Sequence, residues 1–388
     1  MRQIKILLIL LTLLFGSCYK AYDVRVGSSE KVLVVDGLVT DQPDVYHVKL
    51  SYAGPFNSKE SFTPVSSASV RVTDDLANSY IFRENAAGDY KSDSLEFTGK
   101  PGRSYSVHIM TAEGDEYQSD PQRLFPGSAP DSIYAESGTK LELDNATGLK
   151  MIKYGAIILG DIDNLSDTFP RFRFTSNLVR QYSYGVYPRI GDATLNFDFY
   201  CWETVNANSD INLTNEAYSL NSASVKRHPV CFLDDDVYFY SMLYGLDMNM
   251  ADTTAITIKF NYQEFFIEKR ILYLNMYTLN NETYNYYRKM DEQMQSKEKL
   301  FDPIAVQIKG NIRCISDPEK KVIGFFETSS VVNTEYIAVF GDVDHPYPAL
   351  IKTPYILPPG PAGCRINRYG SPHQGHNIPA FWIFNVSK

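Results

Sequence analysis

The side chains of this 388-residue chain that could do chemistry fall into few groupings. In GDIDNLSD (160–167), Asp161, Asp163 and Asp167 stand at spacings that suit a calcium loop, where alternating carboxylates converge on one hard cation. The stretch lacks the glycine of the sharp turn and the closing glutamate, so a polar turn between strands is the preferred reading. In FLDDDVYF (232–239), Asp234, Asp235 and Asp236 stand side by side. Their repulsion could raise one carboxyl for acid catalysis or be relieved by a cation, and a solvated loop is the default. His373 and His376 in SPHQGHNIPAFW (371–382) could share a zinc ion, yet that Gly- and Pro-containing loop offers no visible third and fourth ligand. His47, His108, His228 and His345 are scattered among strands and turns without an identifiable partner. No nucleophile elbow, phosphate-cradling glycine loop, Cys-x-x-Cys or His-Glu-x-x-His occurs. The sequence therefore points away from an enzyme and assigns no catalytic residue, metal or cofactor.

Five cysteines separate into one and four. Residues 1–5 carry Arg2 and Lys5, residues 6–15 are almost unbroken apolar, and Gly16, Ser17 and Cys18 follow. That is a charged n-region, an h-region and small residues at a peptidase site, and the apolar run is shorter than the roughly 20 residues that cross a bilayer. The expectation is a lipoprotein signal peptide over 1–17, an acyl anchor on Cys18 and a tether over 18–29. Phe15 departs from the Leu usual three residues before such a cysteine. Cys201, Cys231, Cys314 and Cys364 then form an even set suited to disulfides in an exported protein. Three pairings are possible, and nearness in sequence favours Cys201 with Cys231 and Cys314 with Cys364.

Charge narrows the partners. The chain has 46 acidic and 37 basic residues, a formal −9, and loss of the signal removes Arg2 and Lys5 as well. Nucleic acid, bound by neutralising phosphates with Lys and Arg, is thereby excluded as the expected partner. A hydrophobic content of 44% supports packed cores, and 28 Tyr and 22 Phe against 2 Trp suit half-buried strand faces.

The elements that must position these residues read as strands. KVLVVDGLVT (31–40), VYHVKLSY (45–52), ASVRVTD (68–74), SYIFRE (79–84) and SYSVHIM (104–110) have strand length and β-branched or aromatic content, with Pro, Gly and Asp punctuation between them. Their spacing predicts an antiparallel β-sandwich over 30–127. Pro121, Pro126 and Pro130 mark an extended connection and a boundary near Gly127. KYGAIILG, RFRFTSN, TLNFDFYCWE, TAITIKFNYQ, EKRILYLNMYT and EYIAVFGDV continue the pattern, so 128–388 is a second, larger β-rich domain with an irregular C-terminal tail. One helix is predicted near 281–297, with Asn at its start as cap and Tyr284, Tyr287, Met290 or Asp291, and Met294 as the stripe that packs on a sheet.

Several of these segments together resemble the bacterial domain-of-unknown-function family numbered 4249, lipoproteins of the outer membrane. They are VVDGLVTDQPDVYHVKLS (34–51), GKPGRSYSVHI with GDEYQSD (99–109, 114–120), PDSIY (130–134) and, most specifically, the run from YNYYRKMDEQ to FFETSSV (284–331). The resemblance implies an Ig-like or prealbumin-like N-terminal sandwich followed by a β-rich domain particular to the family. It also implies an accessory role beside a TonB-dependent outer-membrane transporter, as a non-catalytic substrate-binding or lid subunit anchored to outer-membrane lipid through Cys18, with its ligand and membrane face undetermined. The family's tail carries a closely spaced cysteine cluster where this chain has only Cys364, which sets Cys231 as a substitute partner. A surface structural or adhesion protein is the second expectation, and a glycan-acting hydrolase with paired carboxylates the third.

Overall fold

A computed structural model describes residues 31–54, 62–93, 97–143, 148–163, 171–190, 193–194, 197–206, 211–214, 219–221, 224–234, 244–245, 259–296 and 308–339. Among the described residues the fold is mainly β with one helix, as expected. The first strands are β1 (Val32–Thr40), β2 (His47–Ala53), β3 (Phe62–Pro64), β4 (Ser69–Asp74), β5 (Ser79–Ala86), β6 (Asp89–Lys91), β7 (Ser104–Met110), β8 (Glu116–Ser119) and β9 (Gln122–Arg123). Then follow β10 (Ser132–Leu143), β11 (Lys150–Asp163), β12 (Phe172–Ile190), β13 (Ala193–Thr194), β14 (Phe197–Asn206), β15 (Asn212–Leu213), β16 (Ser219–Asn221), β17 (Ser224–Asp234), β18 (Tyr244–Gly245) and β19 (Lys259–Thr278). The helix α1 (Asn281–Ser296), β20 (Ile312–Cys314) and β21 (Val322–Val339) complete the described chain.

Alternation along the early strands sorts their side chains to one core. In β1 Leu33, Val35 and Val39 are buried, and they meet Val48 and Leu50 of β2, Val70 and Val72 of β4, and Val107 and Ile109 of β7, as a period of two requires of sheets with one face inward. Phe97 lies at the centre of this core, stacked on Tyr80 and edge-on to Tyr46, Phe82 and Tyr105. One layer runs β3–β2–β1 and the other β5–β4–β7–β8. β5 passes between them, pairing with β4 at Ser79 to Phe82 and with β6 from Arg83 onward.

These layers do not end at residue 127. β21 lies parallel beside β1, from Leu33↔Val322 to Thr40↔Ser329, and β20 extends the other layer by pairing with β8. Phe326 and Cys314 thereby enter the first core. A boundary drawn at the proline-rich connection therefore divides the chain but not the sheets, because a turn signal reports where a strand stops and not which later strand fills the vacant edge.

The second core lies between β10–β11–β17–β16 and β14–β12–β19–β21. Ile158 and Ile162 of β11 and Val225, Val230 and Leu233 of β17 face Phe172, Phe174 and Leu178 of β12 and Leu272, Leu274 and Met276 of β19. β21 is shared: past Ser329 it leaves β1 and runs antiparallel to β19, from Thr278↔Ser330 to Lys269↔Val339. Gly324 marks its entry into the first unit. With φ at 107°, and with a Cβ there overlapping the Val35 carbonyl oxygen, this position is open only to glycine.

Candidate functional site

Where β21 passes from one unit to the other, its sequence turns polar while staying buried. Glu327, Thr328, Ser329 and Ser330 are each at most 3% exposed, in the middle of an apolar strand. A buried polar group is tolerated when it is hydrogen-bonded, and all four are. The Thr328 hydroxyl donates to the Gln122 carbonyl (3.0 Å), the Ser330 hydroxyl to the Phe125 carbonyl (2.6 Å) and the Ser329 hydroxyl to Glu327 Oε1 (2.7 Å). Asp41 accepts from the Val331 amide, and Asn311 pairs with Phe326 through both amide groups.

Glu327 is the centre of the cluster. Arg173 on β12 places Nη2 at 3.1 Å from both carboxylate oxygens, and the Tyr287 hydroxyl of α1 donates to Oε2 at 2.6 Å. The Arg173 guanidinium lies between the rings of Tyr277 (4.3 Å) and Tyr287 (4.6 Å), so aromatic faces meet the part of the cation that the carboxylate does not. Burial alone would lower the pKa of Arg173, but Glu327 outweighs it and holds the guanidinium above its ordinary value. Burial, and then the Glu327 charge, push the Tyr287 phenol well above 10. The result is a fixed proton arrangement: Arg173 charged, and Tyr287 neutral and donating.

The helix that supplies Tyr287 is placed by its first turn. Asn280 Oδ1 accepts from the Thr283 amide at 2.8 Å, the cap expected from the sequence. The Asn280 side chain also donates to Gln122, whose own amide donates to Glu282. Tyr284 donates to the Thr214 carbonyl, and Tyr286 stacks on Phe325 at 4.6 Å. The buried face is thus Thr283, Tyr284, Tyr286 and Tyr287. The expected stripe overreached at Met294, which is exposed, because α1 rests on the seam by its first turns.

Among the described residues, those singled out in the sequence are not brought together as a metal or catalytic site. Asp161 and Asp163 sit at the end of β11, with the Lys226 ammonium 2.7 Å from Asp163 and 3.7 Å from Asp161. Asp161 also accepts from the Arg227 amide and Tyr134, so a lysine of the neighbouring strand occupies the place of a cation. Asp167, Asp235, Asp236, His345, His373 and His376 lie outside the described residues, and Asp234 closes β17. His47 bonds Asp89, His108 bonds Thr73, and His228 bonds Asn212 while stacked on Phe174. Burial pushes His228 down to about 4, which suits a neutral core histidine. Among the described residues no three His, Cys, Asp or Glu side chains group as a metal site, and no helix is long and apolar enough to cross a membrane.

Of the four cysteines expected to pair, Cys231 and Cys314 are free thiols among the described residues. Cys201 lies on β14 and Cys231 on β17, strands of different sheets. Burial raises the Cys231 thiol to about 12, and Cys314 faces the first core beside Ser316. Cys18 and Cys364 lie outside the described residues. Sequence reading missed Arg173, Glu327 and Gln122; the one available signal was the ETSS run inside an otherwise apolar strand.

Compared with known proteins, residues 19–335 match the family described as a domain of unknown function, DUF4249. No curated protein matches the chain.

Proposed function

The chain belongs to the DUF4249 family, and on that premise we propose that it is a non-catalytic lipoprotein of the outer membrane, serving a TonB-dependent transporter as a substrate-binding or lid subunit. The observation that carries the anchored reading is the order of charged n-region, apolar run, Gly16, Ser17 and Cys18. Acyl chains on Cys18 supply the attachment: each buried CH₂ contributes about 0.8 kcal/mol, and more than one chain is needed for a stable hold. The transporter role rests on the family resemblance. It is supported by the way β21 and the Arg173–Glu327–Tyr287 cluster tie the two units together, since a lid must move as one body. In this reading the N-terminal unit is an Ig-like or prealbumin-like sandwich that presents its loops to the partner.

Labelled palmitate should enter the wild-type protein and not Cys18→Ala, which should leave the membrane fraction. Acylated protein isolated from membranes without crosslinking should bring down a transporter barrel. If none accompanies it under conditions that keep other membrane complexes intact, the lid role is lost while the anchor stands. Protease treatment of intact cells reads the membrane face.

A further inference from the structure

Arg71 on β4, Arg83 on β5 and Lys91 on β6 stand on three successive strands. Val70, Val72, Phe82 and Tyr90 of these strands fill the first core, so a period of two turns the three cations outward, and all three are exposed. Arg83 and Lys91 are direct cross-strand partners, an arrangement in which like charges repel. Arg71 is flanked across the strands by Ile81 and His108, so no carboxylate stands directly opposite it. The nearby carboxylates are engaged elsewhere, Asp89 with His47 and Asn85, and Glu84 with the Ser67 amide. Among the described residues none of the three cations makes an ion pair, although acidic residues outnumber basic ones by 46 to 37 in the chain.

A row of cations that repel one another in the free protein is complementary to a chain of anions. Neighbouring strands lie close together and diagonal neighbours a little farther apart, so the three charges are strung over about 12 Å of surface instead of converging on one point. We propose that this row binds a linear acidic polysaccharide, with Arg71, Arg83 and Lys91 meeting successive carboxylates and Ile81, 64% exposed between the two arginines, meeting the apolar face of a sugar ring. Arginine forks pair with carboxylates through two parallel hydrogen bonds. Ser69, exposed on the same side of β4 as Arg71, offers a hydroxyl to the sugar. Single-stranded nucleic acid would call for exposed aromatic faces on which bases stack, whereas Tyr80 and Tyr90 pack with the first core. A protein partner would call for an apolar centre, and on β4, β5 and β6 the one large apolar side chain that is exposed is Ile81. The proposal names a substrate class for the substrate-binding reading above and rests on it in that respect alone.

The test uses the chain from Tyr19 onward, which retains every described element, titrated with polygalacturonate in a calorimeter at low and at raised salt. The wild type should bind, and more weakly as salt rises. R71Q/R83Q/K91Q should lower the affinity about tenfold or more, as expected on losing three charge-assisted contacts. R313Q, at an exposed arginine of β20 that pairs with Asp120, should bind as the wild type does. R83Q alone separates binding from structure. It should weaken binding while leaving the denaturant midpoint equal to that of the wild type or higher, because it removes a like-charge pair. Near-UV circular dichroism checks that the variants are folded. A wild type that does not bind polygalacturonate, a triple variant that binds it equally well, or an R83Q midpoint below that of the wild type overturns the proposal. So does tighter binding of polyglutamate or of single-stranded DNA at the same concentration of charge. The assay contains neither a transporter nor an acyl chain, so its failure would be separate from failure of the transporter pull-down and of the Cys18 palmitate test.

Discussion

Glu327 and Arg173 are 154 positions apart in the chain, and each is costly to bury without the other. Removing one member of a buried pair leaves an uncompensated charge, so Glu327→Ala should lower the unfolding free energy by about 3–5 kcal/mol. Tyr287→Phe keeps the ring over Arg173 and loses a single hydrogen bond to a carboxylate, a loss of about 1.5–3 kcal/mol. Denaturant midpoints at neutral pH compare the two; a Glu327→Ala cost below that of Tyr287→Phe would contradict a buried pair. None of this was legible from local spacing. RFRFTSN reads as a strand and FFETSSV as part of a family motif, and nothing in either names the other as partner. The opposite happened with Asp161 and Asp163, whose alternate spacing is conspicuous in sequence but whose charge is met by Lys226 from the next strand.

Strands and the helix were more readable than their partners. The period of two that marks β1, β2, β4 and β7 follows from burying one face, and it is present in the residues themselves. The cap of α1 was likewise visible, since an Asn side chain reaches an amide three residues on whatever surrounds it. Which helical face is buried was legible only in part, because that depends on where the seam ends beneath the helix. Gly324 is where an element depends on a neighbour's backbone. Gly324→Ala would force a Cβ against the Val35 carbonyl and strain a φ of 107°, so β21 would have to withdraw from β1. The expected result is a loss of several kcal/mol, with hydrogen exchange rising first in the amides of β1 and of the Val322–Ser329 half of β21. Exchange that rises equally in β12 and β19, or not at all, would show that the crossing does not depend on this glycine.

At the scale of the molecule, the two β units are joined by a shared strand, and this sets how each can be separated. A chain limited to residues 30–127 lacks Phe326 and Cys314 from its core and the parallel partner of β1. It exposes a long strand edge, a template for association. Such a fragment should be aggregation-prone or only partly folded, and joining residues 308–330 to it should restore dispersed amide resonances. A fragment 30–127 that folds as well alone would show that β20 and β21 merely dress an independent domain. The full chain, by the same reasoning, should unfold its two cores in one transition instead of two.

The amino-acid sequence by itself determined that the described chain is β-rich with a capped helix at Asn281–Ser296 and where most of its strands and turns fall, because each is written in neighbouring residues whose chemistry acts over a few positions. Only the tertiary structure decided that residues 312–329 complete the N-terminal layers, that Arg173, Tyr287 and Glu327 form one cluster, and that Cys231 and Cys314 stand free. Those outcomes depend on which distant strand wins an open edge, and that is settled by packing between elements that the chain brings together from far apart.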